Sequence, residues 1–157
     1  ELNEKNINFN VIGNISQFSN TLINLIEHAE KLTSKNDGLK LNIALNYGGK
    51  SDIIYAVKEI AQKYKKNLFS IEEINENLVK RHLHSSSVKD IDLLIRTGGE
   101  HRISNFMIWQ ITYSEIFISD LLWPDFDEEN LLSALEFYSG RDRRFGATAL
   151  MKSFVSK

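Results

Sequence analysis

Ten consecutive residues, Arg96-Thr97-Gly98-Gly99-Glu100-His101-Arg102-Ile103-Ser104-Asn105, hold most of the chemistry that this sequence offers. Two arginines stand six apart across a glycine turn, with a carboxylate, an imidazole and a hydroxyl close by in the chain. A guanidinium is a planar fork that grips phosphate or carboxylate through two hydrogen bonds, so two forks with the Ser104 hydroxyl suit a diphosphate. Five of the six arginines lie between Arg96 and Arg144, whereas the 13 lysines are spread along the chain. Chance clustering with ordinary surface ion pairs is the plain alternative.

Two Gly-Gly pairs, Gly48-Gly49 and Gly98-Gly99, use four of the eight glycines, and each follows an apolar run. Open parallel sheets bind ligands at the carboxyl ends of their strands. Glycine at such a turn lets backbone N–H groups approach an anion, and a following helix adds its positive dipole end. A tight strand-to-helix turn also favours glycine without any ligand. The sequence holds neither GxGxxG nor GxxxxGK[ST], the commonest nucleotide-binding devices.

The elements that must position these residues follow from hydrophobic periodicity. Ile7, Phe9 and Val11 alternate with Asn8 and Asn10, the pattern of a half-buried strand. A helix capped at Ser16 follows, with Phe18, Leu22, Leu25, Ile26, Ala29 and Leu32 on its apolar face. Leu39, Leu41, Ile43 and Leu45 predict a second strand in the core. Ser51 is the expected cap of a helix with Ile53, Val57, Ile60, Ala61 and Tyr64 inward. Ser70 and Glu73 form a capping box for a third helix. The run Ile91, Leu93, Leu94, Ile95 predicts a strand buried on both faces. Residues 106–112 are expected to be helical, 115–119 a short strand, and Asp127 the cap of a last helix ending at Gly140. Strands alternating with helices imply right-handed crossovers, hence an α/β fold with a mainly parallel sheet flanked by helices. Trp109, Trp123 and Phe126 are expected to pack in a core or an interface rather than on a ligand.

The chain of 157 residues is within the range of one domain, so 1–157 is read as a single domain. Its 19 basic and 21 acidic residues leave a net charge of −2, which argues against nucleic acid as a partner and confines any anion site to a local cluster. The absence of cysteine excludes disulfides, thiolate metal sites and cysteine nucleophiles, and fits a cytoplasmic location. The longest apolar runs fall far short of the roughly 20 residues of a membrane-spanning helix.

Beyond the run 96–105, the sequence carries Phe106, Trp109, Gln110, Tyr113, Ser114 and Glu115, then Leu122-Trp123-Pro124-Asp125-Phe126, and finally Arg141, Arg143, Arg144, Phe145 and Gly146. With the Asn46-Tyr47-Gly48-Gly49 turn, these resemble the signature regions of cis-prenyltransferases of the undecaprenyl diphosphate synthase type, in the family's order over residues 7–146. The resemblance implies condensation of isopentenyl diphosphate with an allylic diphosphate such as farnesyl diphosphate, giving a long polyprenyl lipid carrier for cell-wall synthesis. It implies that Arg96, Arg102 and Ser104 bind the substrate diphosphate, that Ile103 also contacts the substrate, and that His101 and Glu115 lie at a magnesium-diphosphate site. Mg²⁺ prefers oxygen ligands, so Glu115 is the more comfortable of the two. Arg144 and Gly146 match an Arg-x-Gly motif that reaches a partner's substrate site, which implies a homodimer; the product implies peripheral contact with membrane lipid. His28, His82 and His84 match no motif.

Two departures stand out. Lys50 occupies a position where the family usually has arginine. The family's Asp-Gly-Asn-Gly-Arg-Trp loop, which binds the allylic diphosphate and carries the essential aspartate, does not occur in this sequence, nor does its Ser-x-Glu-Asn-Trp-x-Arg-Pro stretch. The chain is therefore expected to be a C-terminal part, with the N-terminal strand and helices missing, no catalytic residue of its own and no turnover alone. A non-catalytic partner subunit of a heterodimer is the second reading, although such subunits tend to lose residues like those of 96–105. An unrelated phosphate-binding module is the third.

Overall fold

The computed structural model describes residues 1–141. They fall into two compact units: Glu1–Lys89 with Ser104–Trp109, and Asp90–Ile103 with 110–141. Each unit contains one two-stranded parallel sheet with helices beside it, the α/β arrangement expected, although the strands stand as two pairs rather than one sheet.

In the first unit β1 (Asn8–Ile12) pairs with β2 (Lys40–Ala44), Phe9 opposite Leu41 and Val11 opposite Ile43. Helix α1 (Asn20–Thr33) connects them and closes the free edge of β1. The Glu30 carboxylate accepts the Val11 N–H at 2.8 Å, and the Thr33 hydroxyl accepts the Phe9 N–H at 3.1 Å. These side chains take the place of a neighbouring strand and satisfy backbone donors that an open edge would leave unpaired. Helix α2 (Gly49–Lys65) follows β2, and α3 (Glu76–His82) packs against it.

In the second unit β3 (Leu93–Arg96) pairs with β4 (Glu115–Ile118), and α4 (Glu128–Ser139) packs on β4 through Phe137 and Phe117, ring centroids 5.5 Å apart. Asp127 caps α4 through the Asn130 N–H, and Gly140 ends it, both as expected.

Several expectations are corrected. Asn14 rather than Ser16 caps the first turn, a short 3-10 segment at Ile15–Gln17, and α1 starts after Ser19. The Ser70–Glu73 box closes another 3-10 turn, Ile71–Glu73, and Asn75 caps α3. Helix α2 begins at Gly49 rather than behind Ser51. Residues 106–112 form turns, because Ser104, Asn105 and Met107 have φ of 47°, 64° and 47°, in the left-handed region that a right-handed helix cannot enter. The buried side of α2 carries Gly49, Asp52, Ala56 and Ile60, while Val57 and Tyr64 are exposed. Leu39 and Ile43 are 67% and 39% exposed rather than in the core, and every residue of β3 is only half-buried. Alternation identifies an apolar face but not whether anything lies over it. Trp123 is exposed and stacks parallel to Phe126.

Candidate functional site

The pairing of β3 with β4 decides which side chains meet. Leu94 lies opposite Ile116 and Arg96 opposite Ile118, so these four share one face of the sheet. Arg96 is the last residue of β3, and beyond it Gly98 and Gly99 have φ of 86° and 69°, a conformation that favours glycine. That turn carries the chain back so that His101, Arg102 and Ile103 join Leu94, Arg96, Ile116 and Ile118 around one hollow of about 80 Å³. The expected substrate residues Arg96, Arg102 and Ile103 therefore gather in one place, with His101 beside them.

The two guanidinium groups are held before any ligand arrives. Arg96 donates from Nη1 to the backbone carbonyl of Arg102, and Arg102 donates from Nη1 to the Glu100 carboxylate. The first contact ties the strand end to the loop. The second is an exposed ion pair of the kind worth little on its own, so exchanging Glu100 for a phosphate oxygen costs Arg102 little.

Ser104 does not line this hollow; it opens the segment Ser104–Trp109, which belongs to the first unit. Glu115 does not line it either. With Phe117 it faces the opposite side of β4, where its Oε2 accepts from Arg141 Nε at 2.9 Å. Among the described residues no group of three or more carboxylates and imidazoles could hold a metal. Glu115 thus offers a magnesium ion one hard oxygen donor, not a cage. That fits Mg²⁺, which is commonly held by one or two carboxylates with substrate phosphates and water completing the shell. Arg144 and Gly146 lie outside the described residues.

The anion-cradle reading of the glycine pairs is corrected. The Gly98 and Gly99 N–H groups donate to the carbonyls of Leu121 at 2.7 Å and Ser119 at 2.9 Å, and no helix follows them. At the other pair the Gly49 N–H donates to the Asn105 carbonyl at 2.7 Å, and the Lys50 N–H to Asn105 Oδ1 at 2.8 Å. A Cβ on Gly49 would lie 2.7 Å from Ile108 Cγ1. Glycine stands there so that the 105–108 segment can approach the start of α2, and the protein itself fills that helix terminus.

Sequence reasoning missed Asp52. It is 3% exposed in the first turn of α2, where its carboxylate accepts the His84 N–H at 2.6 Å and the Ser85 hydroxyl. An acid at that point of a helix reads as a surface residue favoured by the dipole. Burial, together with the Asp52 carboxylate, pushes the Tyr47 phenol up to about 12. His84 stacks on Tyr55, ring centroids 3.6 Å apart.

Two arginines and an apolar patch thus surround one hollow at a parallel strand's carboxyl end, the place where open α/β sheets bind ligands. Residues 1–146 match the family model of undecaprenyl diphosphate synthase, and the chain belongs to this cis-prenyltransferase family. It is 49% identical over 147 residues to the (2E,6E)-farnesyl-diphosphate-specific ditrans,polycis-undecaprenyl-diphosphate synthase of Photorhabdus laumondii, covering 94% of this chain and 58% of that one. The corresponding Haemophilus influenzae synthase is 50% identical over 148 residues, covering 94% and 62%. The lavandulyl diphosphate synthase of Lavandula x intermedia, solved with dimethylallyl diphosphate, superimposes with a TM-score of 0.86 at 38% identity, covering 90% of this chain and 61% of that one. The chain thus spans about three fifths of the length of the relatives it matches. Among the described residues no helix is long and apolar enough to cross a membrane.

Proposed function

We propose that this chain carries the isopentenyl diphosphate side of a cis-prenyl chain-elongating site. The observation that supports it most is the hollow whose lining combines Arg96, His101 and Arg102 with Leu94, Ile103, Ile116 and Ile118. A molecule with a diphosphate head and a five-carbon apolar tail matches both halves of that lining. Arg96 and Arg102 fork onto the diphosphate, and this fixes the alkene for attack. In the reaction the allylic carbon–oxygen bond breaks and diphosphate departs. The isopentenyl double bond forms the new carbon–carbon bond, and a proton is lost to leave a cis double bond. Magnesium would neutralise charge on the departing allylic diphosphate; Glu115, which faces away from the hollow, would offer it one oxygen on the other side of β4.

The Asp-Gly-Asn-Gly-Arg-Trp loop is not among these 157 residues, so on this reading the allylic diphosphate is bound and ionised by residues other than those described. The reading extends to a cytoplasmic homodimer in which Arg144 and Gly146 of one copy serve the substrate site of the other. The product is a long-chain polyprenyl diphosphate. Relatives named for farnesyl diphosphate support a farnesyl primer, and an unrelated phosphate module is set aside by the family match.

The test is steady-state kinetics of Arg102→Lys in the full-length protein at saturating allylic substrate. Losing one charge-assisted fork bond costs roughly 1.5–3 kcal/mol, so KM for isopentenyl diphosphate should rise about ten- to a hundred-fold. A KM unchanged within about two-fold would remove Arg102 from the site.

A further inference from the structure

A separate hollow, of about 430 Å³, lies wholly within the first unit. It opens beyond the carboxyl ends of both parallel strands of that unit: Gly13 and Asn14 follow β1, and Asn46 and Tyr47 lie just past β2. Open α/β sheets bind ligands at that end, and the volume is within the roughly 300–1,000 Å³ usual for small-molecule sites. No residue lines both this hollow and the one formed by Arg96 and Arg102.

Helix α2 supplies the charge. Lys50 and Lys58 both line the cavity, from positions about 12 Å apart along the helix axis, a gap that two flexible four-carbon stems can close from opposite ends. Among the described residues neither ammonium has an ion pair. The carboxylate in the lining, Asp52, is already committed: it is 3% exposed and accepts the His84 N–H at 2.6 Å and the Ser85 hydroxyl. Two cations therefore accompany one engaged anion. Ser51 adds a hydroxyl to the lining, and its N–H has no acceptor among the described residues, whereas Asn105 takes the N–H groups of Gly49 and Lys50 and the Gly48 carbonyl takes that of Asp52. The Asn46 amide is not available, since it donates to the Asn14 carbonyl at 2.9 Å. Ile54 and the stacked rings of Tyr55 and His84 complete a wall that suits a short organic group.

We propose that the first unit carries its own anion site, in which Lys50, Lys58 and Ser51 bind the diphosphate group of a small phosphorylated molecule at the carboxyl ends of β1 and β2. A single carboxylate could meet only one of the two ammoniums, whereas a diphosphate presents charge at both ends, and lysine serves phosphate as a point charge without needing a planar fork. The hollow lined by His28, Lys31, Leu32, Ser34 and Lys35 is the natural control. It also has two lysines, but it lies at the carboxyl end of α1, where the helix dipole favours cations and repels an anion. The proposal stands apart from the functional reading of Arg96 and Arg102.

The experiment reads the acetylation rate of each lysine by mass spectrometry in the full-length protein, without magnesium and with inorganic diphosphate as the probe. Saturating diphosphate should slow Lys50 and Lys58 about five-fold or more and leave Lys31 and Lys35 within about 1.5-fold. The protection should be the same in Arg102→Ala, which removes a fork from the other hollow. Lys50→Gln should raise the diphosphate concentration that half-protects Lys58 about ten-fold, and Lys58→Gln should do the same to Lys50, because each takes one charge from a shared ligand. Both lysines are exposed, and should either variant not fold, labelling of the unaltered protein decides the matter. Unprotected Lys50 and Lys58, protection that disappears in Arg102→Ala, or equal protection by sulfate at the same concentration would overturn the site. So would a Lys58 midpoint unmoved in Lys50→Gln, since the two lysines would then share no ligand. Protection by phosphatidic acid vesicles but not by soluble diphosphate would make this face a membrane contact and overturn the proposal as well.

Discussion

Arg141 Nε donates to Glu115 Oε2 at 2.9 Å, tying the end of α4 to the first residue of β4. The same guanidinium lies 5.5 Å over the Phe137 ring. Glu115 is thus engaged by a cation on the face of β4 opposite Ile116 and Ile118, which line the hollow with Arg96 and Arg102. Glu115→Gln and Arg141→Gln both break the pair, whose partners are 21% and 53% exposed, so each should cost no more than about 1 kcal/mol of stability. Only Glu115→Gln removes the oxygen proposed for magnesium. It should raise the Mg²⁺ concentration needed for half-maximal turnover by about ten-fold, whereas Arg141→Gln should not raise it. Equal magnesium titrations for the two variants would place Glu115 in the structure alone.

Asp52 is expected to matter for stability. Its replacement by alanine leaves the His84 N–H and the Ser85 hydroxyl without their buried acceptor, which costs about 2–5 kcal/mol. Asp52→Asn keeps one oxygen and should cost less. Urea denaturation of the full-length protein reads both, and a loss under about 1 kcal/mol for Asp52→Ala would show that water replaces the carboxylate.

Tyr47 predicts an alkaline limit. Burial, with the Asp52 carboxylate second, holds its phenol at about 12 against an ordinary value of 10.0. Between those values the unfolded chain has released a proton that the folded protein keeps, so stability falls as pH rises through that window and this component is absent below it. Tyr47→Phe should therefore show a shallower loss of stability between pH 10 and 12 than the unaltered protein. Parallel curves from pH-dependent thermal melts would contradict this origin.

Much of this protein is determined by local sequence alone. Alternation at 7–11 located β1, the short run 115–119 located β4, the Asp127 and Gly140 signals bounded α4, and the dense run 96–105 held the Arg96 and Arg102 that line the hollow. Such features depend on side-chain periodicity and on hydrogen-bonding groups a few residues apart, which a sequence displays directly. Tertiary structure decided the rest. Whether Leu39 and Ile43 are covered, which side of α2 is buried, and why Gly48 and Gly49 are glycines all depend on segments distant in the chain. The β3–β4 register put Arg96 and Glu115 on opposite faces, although both belong to one motif region. Above all, Asn105 satisfies the start of a helix that began 56 residues earlier, at Gly49. Residues 106–112, helical by their apolar spacing, instead form bends and turns, fixed by that long-range contact and by the burial of the left-handed Met107. Burial and hydrogen bonds between remote segments outweigh a local preference worth a few tenths of a kcal/mol per residue.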